Sequence, residues 1–306
     1  MKKTWIFVII ILVVLLILSF IISAIIALFF GTSNASILSG NVALIPIKGE
    51  IVSDKDFIFF SSDITIAPDT IELIEKADKN PSIAAMVFEI NSPGGSAVAS
   101  EEIANAIKKS KKIKVAWIRE AGASGAYWIA SSTDYIVANR MSITGSIGVI
   151  ASYLEFSGLL RGYNVTYQRM VSGKYKDIGS PFKPLSSVEE DLMQKKLDAI
   201  REYFIDEVAK NRKMPKKNVD EIATGLFYLG SEAKQLNLVD ELGGKDEVVS
   251  YLEKKIGAKV TLVEYKKERG FFESLANVFN KNSFYVGKGI GSSLKGNSIS
   301  KIEIVT

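Results

Sequence analysis

The chain reads as an α/β layer structure with a largely parallel sheet, held at its N-terminus by an apolar segment. Two observations carry the fold class. The order strand, glycine turn, helix occurs twice, first through Ile83–Ile90, Asn91–Gly95 and Ala97–Lys109, then through Ile113–Ile118 and the turn around Ser124. The 306 residues suffice for one sizeable domain with extensions.

Taken in order, residues 5–30 contain no charge and only two serines among apolar side chains. As a helix they would span about 39 Å, more than the hydrocarbon core of about 30 Å, so they read as an uncleaved transmembrane anchor. Lys2 and Lys3 precede it, and the positive-inside rule keeps residues 1–4 cytoplasmic and the bulk of the chain extracytoplasmic. Residues 31–40 are small and polar and read as a linker. The domain from 41 to 265 opens with a strand at Val42–Ile47 and a helix at Pro68–Asp78. After the two repeated units come strands at Asp134–Ala138 and Asn164–Met170, then an irregular loop from Val171 to Pro184. Ser187-Val188-Glu189-Glu190 reads as a capping box, and Met193, Leu197, Ile200, Phe204 and Val208 mark one face of the helix behind it. Helices at Ser231–Leu238 and Lys245–Ile256 and a strand at Lys259–Tyr265 complete the domain. The tail, 266–306, carries an apolar stripe at Phe271, Phe272, Leu275, Val278 and Phe279, suited to packing on protein.

Composition closes several function classes. With no histidine and no cysteine, ordinary zinc, copper, haem and iron–sulfur sites are excluded, and no cofactor or metal is expected. A net charge of +4 is too small to argue for nucleic acid, and Lys108, Lys109, Lys111 and Lys112 read as a solvated stretch.

The same absence shapes the chemistry of Gly122-Ala123-Ser124-Gly125-Ala126-Tyr127, where a serine opens a helix. If Ser124 is a nucleophile, no imidazole can take its proton, and a lysine amine is the first base to consider. Acyl transfer also needs donors for an oxyanion. The N–H of Gly125 sits at a helix N-terminus, and Asn91-Ser92-Pro93-Gly94-Gly95-Ser96 offers a second donor turn. In a parallel sheet both turns fall at the carboxyl ends of strands, where ligands bind. Singly, each has a plainer reading: a turn is a turn, and a serine opening a helix is a cap. The segment also lacks the last glycine of the Gly-x-Ser-x-Gly nucleophile elbow.

Four motifs occur in order: Asn91–Ser96; Ala123-Ser124-Gly125 with Tyr127; Thr144-Gly145-Ser146-Ile147-Gly148-Val149; and Ser172-Gly173-Lys174-Tyr175-Lys176 with Ser180-Pro181-Phe182. Together they resemble the signal peptide peptidase A (protease IV) family in its short single-domain form. The resemblance implies a Clp-protease/crotonase-like α/β fold and a membrane-anchored homo-oligomer. It further implies a Ser-Lys dyad of Ser124 as nucleophile and Lys176 as general base, with oxyanion donors at Gly95 and Gly125. In such families serine and lysine meet across a subunit boundary. From the residues alone, Lys174, Lys176 and Lys183 stay open as the base, and Ser172 or Ser180 could orient the amine. The family has glycine where this chain has Ala126, whose methyl is expected to narrow the site. The reading is a serine endopeptidase acting on hydrophobic peptides, chiefly residual signal peptides. Its competitors are a Clp-like peptidase for one membrane protein partner and a crotonase-type acyl-CoA enzyme.

Overall fold

The computed structural model describes residues 5, 11–23, 40–54 and 64–267. The chain divides into two units at Tyr265/Lys266, and the expectations for the tail lie outside the described residues apart from 266 and 267. Residues 11–23 are helical and exposed (α1), and the remainder of the 5–30 segment, residue 5 excepted, lies outside the description. Among the described residues no helix is long and apolar enough to cross a membrane.

The body is an α/β structure with nine described strands in one sheet. Strands β1 (Val42–Val52), β2 (Ile64–Ile66), β3 (Ala85–Gly95), β4 (Ile113–Ala123) and β5 (Tyr135–Ala138) run parallel. They lie in the order β2-β1-β3-β4-β5, extended by β8 (Glu241–Leu242). Helices α2 (Ala67–Lys79), α3 (Ala97–Lys109) and α4 (Gly125–Ser131) make the crossovers. Because side chains alternate along a strand, each of β1, β3 and β4 feeds two cores. Ile45, Phe88 and Ile118 join the larger core with α2–α4, while Val42, Val87 and Val115 meet Val248 and Leu252 of α9 (Lys245–Ile256). Parallel strands need cover on both faces, and the two cores supply it.

Three features differ from the sequence expectation. The 164–170 segment forms no strand and is exposed; its apolar residues find no sheet neighbour. It belongs to an arm, roughly 149–186, that carries α5 (Ser157–Gly162) and leaves the sheet altogether. The capping box sits one residue earlier: the Ser186 hydroxyl accepts from the Glu189 N–H while Glu189 accepts from the Ser186 N–H, starting α6 (Ser187–Arg212). And β3 does not stop at Ile90 but continues through Pro93-Gly94-Gly95, bulged against both neighbours.

The far end of α6 is anchored to the sheet. Arg212 grips Asp240 through two hydrogen bonds of 2.7 and 2.9 Å, Phe204 stacks on Trp128 at 4.8 Å, and Lys108 bonds Glu207. The solvated reading of the lysine run holds for the exposed Lys109 and Lys111 but not for Lys108 or for Lys112, which the carbonyls of Ala77 and Asn80 hold at 2.7 and 2.6 Å. Arg212 is 8% exposed, so its replacement strands Asp240 in a poorly solvated place. Arg212→Met is expected to cost about 3 kcal/mol, measured as a lowered urea midpoint with an unchanged slope.

Candidate active site

The site is assembled at the carboxyl edge, where β3 and β4 end side by side: Ser92 is in register with Gly122, and Gly122 with Thr144 of β6 (Ile143–Gly145). Beyond β6 lies β7 (Phe227–Leu229), antiparallel to it.

Ser124 joins β4 to α4 with φ 53° and ψ −127°. A non-glycine residue held there costs on the order of 1–3 kcal/mol, and the surroundings must impose it. They do: the Ser124 N–H donates to the Gly145 carbonyl at 2.8 Å, and its carbonyl accepts from Tyr127 and Trp128 at 2.8 and 3.0 Å. With the backbone satisfied in this way, the hydroxyl is left over. It makes no capping hydrogen bond, and among the described residues it has no hydrogen-bond partner. The plainer reading of Ser124 as a helix cap is therefore wrong. The strand–elbow–helix geometry is present although the last glycine of the elbow pattern is not. Gly125 takes the close approach instead, because a β-carbon there would lie 2.2 Å from the Ser100 hydroxyl.

Ala126 is fully buried in the larger core. Its methyl packs inward, which corrects the expectation that it narrows the site.

The glycine segment of β3 faces the elbow. A β-carbon at Gly94 would sit 2.8 Å from the Gly125 nitrogen and 2.9 Å from the Ser124 β-carbon, so a side chain there would fill the space in front of the serine. Gly94 also has φ +102°, open to glycine. Gly95 is exposed and pairs with Ile51, whose carbonyl accepts from Ser96 N–H at 2.8 Å. In a parallel ladder the bonds to Ile51 come from the residues flanking Gly95, so the N–H of Gly95 itself turns away from β1. The Gly95 nitrogen lies 3.5 Å from the β-carbon position of Gly125. Two backbone N–H groups, from Gly95 and Gly125, thus stand beside an unengaged hydroxyl.

Four supporting groups escaped the sequence reading. The buried Ser92 hydroxyl accepts from the Gly94 N–H (3.1 Å), Ser100 donates to the Ser96 carbonyl (2.8 Å), and Thr144 donates to the Gly122 carbonyl (2.8 Å). The fourth is the Gly145 carbonyl. Only the Thr144–Val149 motif hinted at it, and a sequence does not say that a separate strand will supply an acceptor. Ser146, next in line, has φ 50° and donates to the Gly225 carbonyl at 3.1 Å. It places a second hydroxyl one residue from the carbonyl that holds Ser124.

The candidate bases separate clearly. Lys183 is bound to Glu189 at 2.6 Å, and this hydrogen bond, with those from Ser186, holds the Glu189 carboxyl down at about 2. Its amine is thereby committed to a neighbour within the chain. Lys174 lies 5.1 Å over the Tyr175 ring. Lys176 is exposed on the arm, and among the described residues its amine makes no hydrogen bond or ion pair. Ser172 is exposed nearby, and the Ser180 hydroxyl accepts weakly from Phe182 N–H at 3.4 Å. Tyr127 is no alternative base: its hydroxyl donates away from the site to the Leu238 carbonyl at 2.9 Å, and burial pushes its phenol well above the ordinary range. Among the described residues no acidic cluster could hold a metal ion.

A serine hydroxyl freed at a strained elbow, beside two backbone donors on a parallel α/β sheet, is the equipment of a serine hydrolase. Residues 106–260 match the model of peptidase family S49, and the chain belongs to that family. It is a serine peptidase, and its mixed α/β architecture fits the Clp-protease-like fold. It is 34% identical to a putative protease of Methanocaldococcus jannaschii over 229 residues, covering 74% of this chain and 73% of that one. It is 32% identical to a putative signal peptide peptidase SppA of Enterococcus faecium over 249 residues, covering 80% and 71%. Protease 4 of Haemophilus influenzae is 33% identical over 222 residues, 71% of this chain but 35% of that longer one.

The contact between Gly125 and Ser100 gives a direct check of the elbow. Gly125→Ala is expected to lower peptidase activity at least about 100-fold, the scale of losing one oxyanion donor. Ser100→Gly in the same chain should restore part of it by removing the colliding hydroxyl, as read by turnover of a fluorogenic peptide and by Tm.

Proposed function

We propose that the protein is a membrane-anchored serine endopeptidase that cuts hydrophobic peptides, residual signal peptides among them, with Ser124 as nucleophile and Lys176 as general base. The observation that carries this reading is the pairing of two groups left without partners: the Ser124 hydroxyl at its elbow and the Lys176 amine on an exposed arm. The amine must be neutral to accept a proton, and withdrawal from water favours the neutral form of a lysine.

The arm explains how that withdrawal arises. Met170 is 93% exposed, Ile150 83% and Leu154 72%, more apolar surface than a free chain segment keeps in water. A second copy of the chain is the natural cover, so the arm of one subunit brings Lys176 to the Ser124 of its neighbour in a homo-oligomer. The arm has internal structure of its own to do so: Arg169 clamps Asp177, Phe156 N–H donates to the Pro181 carbonyl at 2.7 Å, and Tyr167 lies 5.5 Å from Phe182. Ser172 or Ser180 could orient the amine, and Ser146, one residue from the carbonyl that holds Ser124, is a further candidate.

In the reaction, Ser124 attacks the peptide carbonyl while the neutral amine of Lys176 takes the hydroxyl proton. The N–H groups of Gly95 and Gly125 receive the oxyanion. The resulting ammonium protonates the departing amine, leaving an acyl-enzyme that water cleaves by the same base. The apolar character of residues 5–30 supports an anchor with the catalytic domain outside the cytoplasm, which brings the enzyme to membrane-derived peptides.

Fluorogenic cleavage of a hydrophobic peptide by the full chain is expected to vanish in Ser124→Ala and in Lys176→Ala, and to persist in Lys174→Ala and Lys183→Ala. Wild-type turnover in Lys176→Ala would overturn the base assignment. The chain has no histidine, so any limb in the pH–rate profile belongs to a group other than an imidazole.

A further inference from the structure

We propose that the amino edge of the sheet, opposite the site, is a docking surface for anionic lipid headgroups. The inference rests on reading residues 5–30 as the anchor. The strands β1, β3 and β4 start together at this edge, with Val42 in register with Ala85 and Ala85 with Ile113. β9 (Leu262–Glu264) also starts there, Leu262 against Val42. Since α2, α3 and α9 each return the chain to this edge, their C-terminal ends gather on it.

All three ends are basic: Lys76 and Lys79, Lys108 and Lys109, Lys254 and Lys255. The adjoining loops add Lys111, Lys112 and Lys259. Part of this charge is spent internally. Lys76 and Lys79 pair with Glu72 and Glu75, Lys108 pairs with Glu207, Lys112 is bonded to backbone carbonyls, and Lys255 lies 5.7 Å over Tyr251. Of the acids near these ends, Asp134 is paired with Lys114 at 3.5 Å, while Asp78, bonded to the Ser110 hydroxyl, and Glu253, bonded to the Val260 N–H, keep their charge. Lys109, Lys111, Lys254 and Lys259 are exposed and make no ion pair among the described residues. Three helix C-termini contribute about half a negative charge each, and with Asp78 and Glu253 this is less than the ammonium groups of Lys109, Lys111, Lys254, Lys255 and Lys259. The surplus is positive.

The length of the linker limits how far this surface can stand from the bilayer. From Phe30 to Gly40 the chain can reach at most about 35 Å, and Gly40 lies at the same edge, two residues before β1. Attraction to charged headgroups falls off within about 8 Å at physiological salt, and the edge where the linker enters is the one that can come within that range. The consequence concerns substrate. β3 and β4 are 11 residues long, so Ser124 stands roughly 36 Å from the lipid-facing edge. A peptide still rooted in the bilayer reaches Ser124 only if about eleven extended residues project from it; shorter stubs are cut after release.

The chain has no cysteine, so one introduced thiol can be labelled alone. The full chain labelled at Ser82→Cys (amino edge) or Glu50→Cys (carboxyl end of β1) would be reconstituted in phosphatidylcholine vesicles, with or without about 30 mol % phosphatidylglycerol and with a headgroup quencher. Quenching at position 82 is expected to rise at least about twofold with the anionic lipid and to fall back in about 0.5 M salt. It should also fall in Lys109→Gln/Lys111→Gln/Lys254→Gln/Lys259→Gln, while position 50 stays unquenched throughout. Equal quenching at both positions, or indifference of position 82 to phosphatidylglycerol, overturns the proposal. Vesicle flotation in high salt separates the two readings. If the chain does not float, the anchor reading fails, and binding to phosphatidylglycerol vesicles at low salt then supports the edge while its absence overturns it.

Discussion

One hydrogen bond fixes the catalytic geometry: the Ser124 N–H to the Gly145 carbonyl, 2.8 Å long. It joins the end of β4 to β6 and holds the serine at φ 53°, a backbone state that a hydroxyl-bearing residue would otherwise leave. At φ 53° and ψ −127° the serine is far from the extended state of a capping residue, and its side chain does not cap α4. The strain at this residue and the freedom of its hydroxyl have one cause.

The surrounding residues read as consequences of that constraint. Gly94 must lack a side chain because the elbow brings the Ser124–Gly125 peptide against it, and Gly125 must lack one because α3 brings Ser100 against it. Ser92, Ser100 and Thr144 spend their hydroxyls on backbone groups of the same segments. Trp128, four residues into the elbow helix, stacks on Phe204, which ties the nucleophile helix to the helix that follows the arm. The chain thus holds its candidate nucleophile in a fixed backbone state and leaves its candidate base on an exposed segment.

Much of this was legible in the residues. The helices Ala97–Lys109 and Lys245–Ile256 fall on the residues assigned to them, and the strand–glycine–helix order pointed to the parallel sheet. What was not legible depends on long-range pairing. Ile143–Gly145 and Phe227–Leu229 are three-residue strands without a period of their own, formed because β4 and each other offer ladders. Pro93-Gly94-Gly95 looks like a turn locally, but pairing with Glu50 and Ile51 draws it out as a bulged strand. The 164–170 segment has a strand's composition and no strand beside it. The role proposed for Lys176 comes from family resemblance and not from any local signal. One subunit adds that, of the three lysines considered, it alone is uncommitted.

The account turns on the base arriving from another subunit, and subunit mixing tests this most directly. Ser124→Ala and Lys176→Ala chains, each inactive alone, would be dissociated, mixed and reassembled. Recovery of activity toward a hydrophobic peptide, up to about a quarter of wild type if subunits exchange at random and one arm serves each serine, is the predicted result. An inactive mixture, in particles shown by native mass spectrometry to contain both chains, would contradict it.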